Sequence, residues 1–282
     1  MLIGQVTDIH LGFEPDNPGE LNRQRLDAVL AHMAGISTRP DILLATGDLV
    51  DRGDRESYER LRQAFSTCPI PALPCMGNHD ERAPFRAVFP EFAGEGGFIQ
   101  YHADIGALRL IIVDTLEEGR HGGAFCDTRA RWLSDRLVEE QDRPTLIVMH
   151  HPPVELGIEW MNTDPREPWV ARFADAISGH AQVRGIICGH VHRPIVSAFE
   201  GVPLAVCPST APQVALDLAP IDPERPDGRP MIVAEPPAYA LHWWNGQALV
   251  SHFEKAESYP VLASFDERMQ PLVRGMVGER PA

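Results

Sequence analysis

Four apolar runs in this 282-residue chain lead directly into short polar turns built from Asp, His and Gly. They are Leu2–Val6, residues 42–45, residues 146–149 and Val183–Cys188. Runs of this length and composition read as buried strands. The turns after them are Asp8-Ile9-His10, Gly47-Asp48, His150-His151 and Gly189-His190-Val191-His192, and Gly77-Asn78-His79-Asp80 is a fifth turn of the same kind. Strands that repeatedly deliver such side chains at their ends point to an α/β sheet, whose carboxyl edge is where loops converge on a ligand. A hydrophobic content of 44% is ample for a sizeable core at this length, and one domain over residues 1–282 is expected.

Between the first two runs, Leu21, Leu26, Val29, Leu30 and Met33 recur at helical spacing, with Gly35 as the stop. Strand, helix, strand implies parallel pairing. A second helix is expected over about 55–65, then a short or irregular strand at 70–75, where Pro69, Pro71 and Pro74 oppose regular pairing. Residues 98–102 and 108–113 read as strands around Ile105-Gly106, and Asp114 is another polar residue at a strand end. A glycine-rich loop at 119–123 precedes a helix over about 127–140. Residues 154–168 form a loop with exposed-looking Ile158, Trp160 and Met161, a lid or a subunit contact. Glu200-Gly201 and Asn245-Gly246 mark two hairpins, 196–199 with 203–206 and 239–244 with 248–253. Residues 208–237 hold eight prolines and read as a structureless excursion. The last part of the chain, within about 238–282, is a hairpin and then a patternless tail that packs on a partner.

Forty acidic against 25 basic residues leave a formal charge of −15, and Lys255 is the only lysine. No basic stripe interleaved with aromatics is present, which argues against a nucleic-acid polymer as partner. The cysteines, Cys68, Cys75, Cys126, Cys188 and Cys207, are odd in number and lack CxxC spacing, as expected of buried thiols in a reducing compartment. No apolar run reaches membrane-spanning length and the chain enters a strand at once. A soluble cytoplasmic protein without a membrane partner is expected.

The turns carry the chemistry. Carboxylate, imidazole and amide oxygen are hard or borderline donors suited to Mn, Fe, Zn or Co, and none of the turn residues is Cys. In a DxH or GHxH turn, residues i and i+2 point to one side and offer two ligands together. Asp48 has two oxygens with which to bridge two ions, and Gly47 allows a sharp turn beside it. Any one of these patterns is common. All five, in one order at strand ends, make a two-metal site. His151 is expected to point away from its neighbour and serve structure. Asp51 and Asp80 either orient ligand imidazoles or cap helices, and His121 either reaches substrate or is an exposed loop residue.

The set D-x-H, G-D, G-N-H-D, H and G-H-x-H over residues 8–192 resembles the calcineurin-like metallophosphoesterase superfamily. Met149-His150-His151-Pro152-Pro153 and Asp51-Arg52-Gly53 narrow the resemblance to the bacterial class III cyclic-nucleotide phosphodiesterases and related glycerophosphodiesterases. It implies a four-layer α/β/β/α sandwich, two mixed sheets flanked by helices. It also implies that Asp8, His10, Asp48 and His192 hold one metal and Asp48, Asn78, His150 and His190 the other, with His79 facing the substrate as the catalytic side chain. The activity implied is hydrolysis of small cyclic-nucleotide or glycerophosphodiester-type diesters by a metal-activated water. Where some members carry a substrate-facing His, this chain has Pro212. The other classes to weigh are a phosphomonoesterase or protein phosphatase, suggested by Val50-Asp51-Arg52-Gly53 after Gly47-Asp48, and a non-catalytic metal-binding scaffold. The apolar loop 158–161 with Trp243 and Trp244 suggests a homodimer or higher homo-oligomer.

Overall fold

The computed structural model describes residues 1–281. Strands β1 (Leu2–Val6), β2 (Ile42–Thr46) and β3 (Ala72–Cys75) run parallel, with helices α1 (Leu21–Ala34) and α2 (Arg55–Thr67) as the connections. Strands β4 (Tyr101–Ile105), β5 (Leu108–Ile112), β6 (Thr145–Val148), β7 (Val183–Cys188), β8 (Ile195–Phe199) and β9 (Val202–Val206) form a second sheet in the order β4-β5-β6-β7-β9-β8. The hairpin of β12 (Ala238–Trp244) and β13 (Leu249–Lys255) returns to the first sheet, where β12 pairs antiparallel with β1. Both sheets are therefore mixed. Between these pieces lie α3 (Arg82–Val88), α4 (Asp127–Glu139), α5 (Pro168–Ile177) and the small pair β10 (Gln213–Val214) and β11 (Ile232–Val233).

The layering follows from side-chain alternation along fully buried strands. On β2, Ile42 and Leu44 join a cluster with Leu108, Leu110, Ile112, Leu146 and Val148, which fills the space between the sheets. Leu43 and Ala45 face the opposite way and pack with Leu26, Val29, Met33 and Leu61 of the helices. On the second sheet, Ile111 and Ile147 face Leu133, Leu137 and Phe173 of α4 and α5. Three separate apolar layers between helix, sheet, sheet and helix define the four-layer sandwich.

Several expectations need correction. Leu21 lies on α1 but is 51% exposed, because it sits in the first turn, outside the face that meets the sheet. The first strand of the β4–β5 hairpin begins only at Tyr101, since the Ile99 N–H is taken by the Asp114 carboxylate. Ile158 is buried, while Trp160 and Met161 line a cavity. The excursion at 208–237 is anchored rather than structureless. The N–H groups of Thr210 and Ala211 donate to the carbonyls of Thr7 and Asp8, and the buried Arg25 guanidinium donates to those of Thr210, Ala211 and Glu235. The tail contains α6 (Gln270–Gly278), which is exposed all round and so has no buried face to leave an apolar period in the sequence. Among the described residues, no helix is long and apolar enough to cross a membrane.

Candidate metal centre

The five turns meet at the carboxyl ends of β1, β2, β3, β6 and β7, where the two sheets come together. Five of the six non-glycine residues with positive φ among the described residues are Asp8, His10, Asp48, His190 and His192, at 47–75°. Left-handed backbone costs an ordinary residue on the order of 1–3 kcal/mol, and such residues cluster where function over-determines the geometry. Two glycines make the approach possible. A Cβ on Gly47 would collide with the His150 ring, and one on Gly77 with the Asp48 backbone and carboxylate.

Asp48 stands in the middle. Its Oδ2 lies 3.3 Å from His150 Nε2 and 3.7 Å from His10 Nε2, and its Oδ1 accepts the His79 N–H at 2.8 Å. On one side, His10 Nε2 and His192 Nε2 face each other at 3.3 Å, with Asp8 Oδ1 3.3 Å from His192 Nε2. On the other side, His150 Nε2 is 3.2 Å from Asn78 Oδ1. The backbone fixes the tautomers: His150 Nδ1 donates to the Thr46 carbonyl at 2.7 Å and His192 Nδ1 to that of Pro212 at 2.9 Å. A neutral ring held this way directs its Nε2 lone pair inward. Asp8 Oδ1 and His190 Nδ1 are buried with no hydrogen-bond partner. Buried polar atoms seldom go unpaired, and lone pairs converging on one another fit cations between them.

The titration of the site reflects the same crowding. Burial alone would raise Asp48, but the His150, His10 and His79 imidazoles hold its carboxyl well below the usual range. Burial alone would lower His150, yet Asp48 and Asp8 outweigh it and raise the ring to about 9. Burial and the neighbouring His150 push His190 down to about 3.

The supporting residues fall into place by geometry. The Asp51 carboxylate lies 3.4 Å from His10 Nδ1, and its carbonyl accepts His79 Nδ1–H at 2.9 Å, whereas Asp54 caps α2. Asp80 takes neither role expected of it. Its buried carboxylate accepts the Gly77, Leu49 and Val50 N–H groups and the Tyr58 hydroxyl, tying the Gly47-Asp48 turn to the Gly77-Asn78-His79-Asp80 turn. Burial, with Asp48 nearby, raises it to about 7. His151 is spoken for at both nitrogens, by the Thr115 hydroxyl and the His121 carbonyl. Asp114 does not join the cluster; it binds Arg82 through both oxygens.

A cavity of about 520 Å³ opens over His10, Asp48, Asn78, His79, His190 and His192, walled by His121, Trp160, Asn162 and Glu167. A second, of about 470 Å³, shares His10, His79 and His192 and extends past Phe13, Leu21 and Pro212. Sequence reading missed Phe13 and Glu167, and also the carbonyls of Thr46 and Pro212 that orient two imidazoles. A main-chain oxygen has no sequence signal.

A model of the calcineurin-like phosphoesterase family matches residues 1–194. The chain is 28% identical to a glycerophosphodiester phosphodiesterase of Enterobacter lignolyticus, covering 95% of this chain and 96% of the relative. It is 30% identical to a 3′,5′-cyclic adenosine monophosphate phosphodiesterase of Pseudomonas aeruginosa, over 76% and 78% of the two chains. A dimetal phosphatase structure from Danio rerio superimposes with a TM-score of 0.66 at 13% identity, covering 91% of this chain and 96% of that one, and shares the fold. With the family model spanning more than half the chain, and the fold and the turns in agreement with it, the chain belongs to the calcineurin-like phosphoesterase family.

Proposed function

We propose that this protein is a two-metal phosphodiesterase acting on small diesters of the glycerophosphodiester or cyclic-nucleotide kind, the activities its relatives are named for. The observation that carries the reading is the overlapping clusters of Asp and His donor atoms around Asp8, His10, Asp48 and His150, each within 4.8 Å, at the floor of an open cavity. Asp8, His10, Asp48 and His192 would hold one ion and Asp48, Asn78, His150 and His190 the other, drawn from Fe, Mn, Zn or Co. When bound, such a pair lowers the pKa of a water and neutralises charge on the phosphoryl oxygens. His79, anchored through Nδ1–H to the Asp51 carbonyl, lines the cavity and as the imidazolium would give its Nε2 proton to the departing alkoxide, returning to the neutral ring.

The cleft favours a diester over a monoester. Among the described residues lining the two cavities there is no Lys or Arg, while Glu14, Glu20, Asp51 and Glu167 are present. The second negative charge of a phosphomonoester would find no Lys or Arg in these two cavities and would rest on the metal pair alone. Arg52 of the phosphatase-like Asp51-Arg52-Gly53 stretch, 60% exposed at its side chain, lines neither of these cavities; with Arg120 it lines a neighbouring one that shares Asn78, His79 and His121. The test is turnover of bis(p-nitrophenyl) phosphate against p-nitrophenyl phosphate, with and without Mn: metal-dependent turnover of the diester alone supports the reading, and preference for the monoester contradicts it.

Five free thiols support a reducing compartment, the cytoplasm. Exposed Val261, Leu262, Phe265 and Met276 on the tail support a homo-oligomer, which sedimentation would size.

A further inference from the structure

The two cavities differ in character although they share His10, His79, His192 and Ile232. Ile232 is 53% exposed and is set between them by the β10–β11 pair, where it lies opposite Val214. A diester has two arms, and a phosphorus seated at the shared histidines sends one arm into each cavity.

In the first cavity, Glu167 is the one carboxylate besides Asp48 among the described lining residues. Its carboxylate makes no hydrogen bond among the described residues, and the nearest cation, Arg120 Nη2, is 3.8 Å away. A free acceptor on a cavity wall seeks donors, and the hydroxyls of an ester arm supply them. Trp160, 40% exposed on the loop turn Glu159–Met161, adds a flat face to the same cavity. Hydroxylated and ring-bearing alcohols suit this wall.

The second cavity has polar residues whose groups are already engaged. Glu20 accepts the Gly12 and Glu14 N–H groups, Asn22 donates to the His10 carbonyl, and Asp51 faces His10 Nδ1. Apart from the exposed Glu14, whose Oε2 accepts the Asn17 amide, what remains for a ligand is apolar: Phe13, 61% exposed, Leu21, 51% exposed, Ala211, Pro212 and Ile232. Leu21 breaks the burial pattern of α1, and Phe13 contributes to none of the three cores. Apolar side chains held out of the core and around a cavity that opens on the metal turns mark a ligand wall.

Resting on the phosphodiesterase reading, we infer that the cleft selects unsymmetrical diesters: a hydroxylated arm is read by Glu167 in one cavity, and an alkyl or aryl arm packs on Phe13 and Leu21 in the other. Glu167, Phe13 and Leu21 are specificity residues, with no part in bond breaking.

Two ratios of kcat/KM test this on metal-replete protein. The first compares glyceryl p-nitrophenyl phosphate with its propyl counterpart. Wild type is expected to favour the glyceryl ester about tenfold, the scale of one hydrogen bond to a charged group, and Glu167→Gln to remove most of that preference. Taking a ratio cancels the general effect of deleting a negative charge. The second compares butyl with methyl glyceryl phosphate. Three added methylenes partly buried are worth about tenfold to wild type, and the double variant Phe13→Ser, Leu21→Asn should reduce that to below about twofold. Both positions are more than half exposed, so the variant is expected to fold. A glyceryl ratio untouched by Glu167→Gln overturns the polar arm, and a butyl ratio untouched by the double variant overturns the apolar one. Absence of wild-type turnover on every diester sinks the phosphodiesterase reading itself, an outcome distinct from unchanged ratios on an active enzyme.

Discussion

His150 Nε2 and Asn78 Oδ1 stand 3.2 Å apart, and in the neutral ring whose Nδ1–H donates to the Thr46 carbonyl the two atoms are both acceptors. Two acceptors held in contact repel unless a cation lies between them. Without one, the Asp48 and Asp8 carboxylates favour the protonated His150 ring and raise it to about 9. Metal uptake at this side must displace that proton.

Asn78 touches only this half of the cluster, and an amide oxygen is a neutral donor. Asn78→Ala is therefore expected to weaken one metal by at least about 10–100-fold, the loss that removing an outer-shell partner already causes, while the proposed site of Asp8, His10 and His192 keeps its affinity. A calorimetric titration with Mn checks this. An equal fall at both sites would remove Asn78 from its assignment.

His79 is held through the Asp51 carbonyl, beside His10 and Asp48, and the proposed function gives it no metal to hold. His79→Ala is expected to leave both metals bound and to lower kcat by about 10²–10⁴-fold for alkyl diesters, as loss of a positioned general acid does. The loss should shrink for p-nitrophenyl esters, whose leaving group needs no proton. A uniform loss across leaving groups, with raised KM, would mean that His79 binds charge rather than donating a proton.

Much of this was legible in the sequence because strands buried on both faces carry no polar interruptions. β2 and β6 read as continuous apolar runs since they are covered on both faces, and their ends declared the turns. The helix α6 was illegible for the opposite reason, having no buried face. The anchored excursion was hidden because Arg25, Thr7 and Asp8 hold it through main-chain carbonyls and N–H groups, which any residue carries. Residue types named the candidate ligands. Their left-handed backbone, and the carbonyls that set their tautomers, emerged only in three dimensions.

Away from the metals, His242 is buried between the sheets, where Nε2 donates to Gln5 Oε1 at 2.9 Å and Nδ1 accepts the Ser251 hydroxyl at 2.7 Å. The Gln5 amide in turn donates to Thr46 Oγ1 and the Cys188 carbonyl, joining the two sheets beneath the site. Burial pushes His242 down to about 4. The unfolded chain then binds the extra proton between about pH 6.5 and 4, so stability is full above that window and is lost as the pH falls through it, by about 3 kcal/mol at most. Urea melts at pH 7 and pH 4.5 should show this loss, and His242→Phe, although less stable at pH 7, should show a smaller one. An identical acid loss in the variant would assign it to other groups.

The central claim is that two ions share Asp48, and the direct measurement is turnover of bis(p-nitrophenyl) phosphate as metal-free protein is titrated with Mn. The account requires activity to level off only after two equivalents are bound, and Asp48→Asn to be inactive and to retain less than one, because like-charged ions have lost the carboxylate between them. Full activity at one equivalent, or two ions retained by Asp48→Asn, would contradict it.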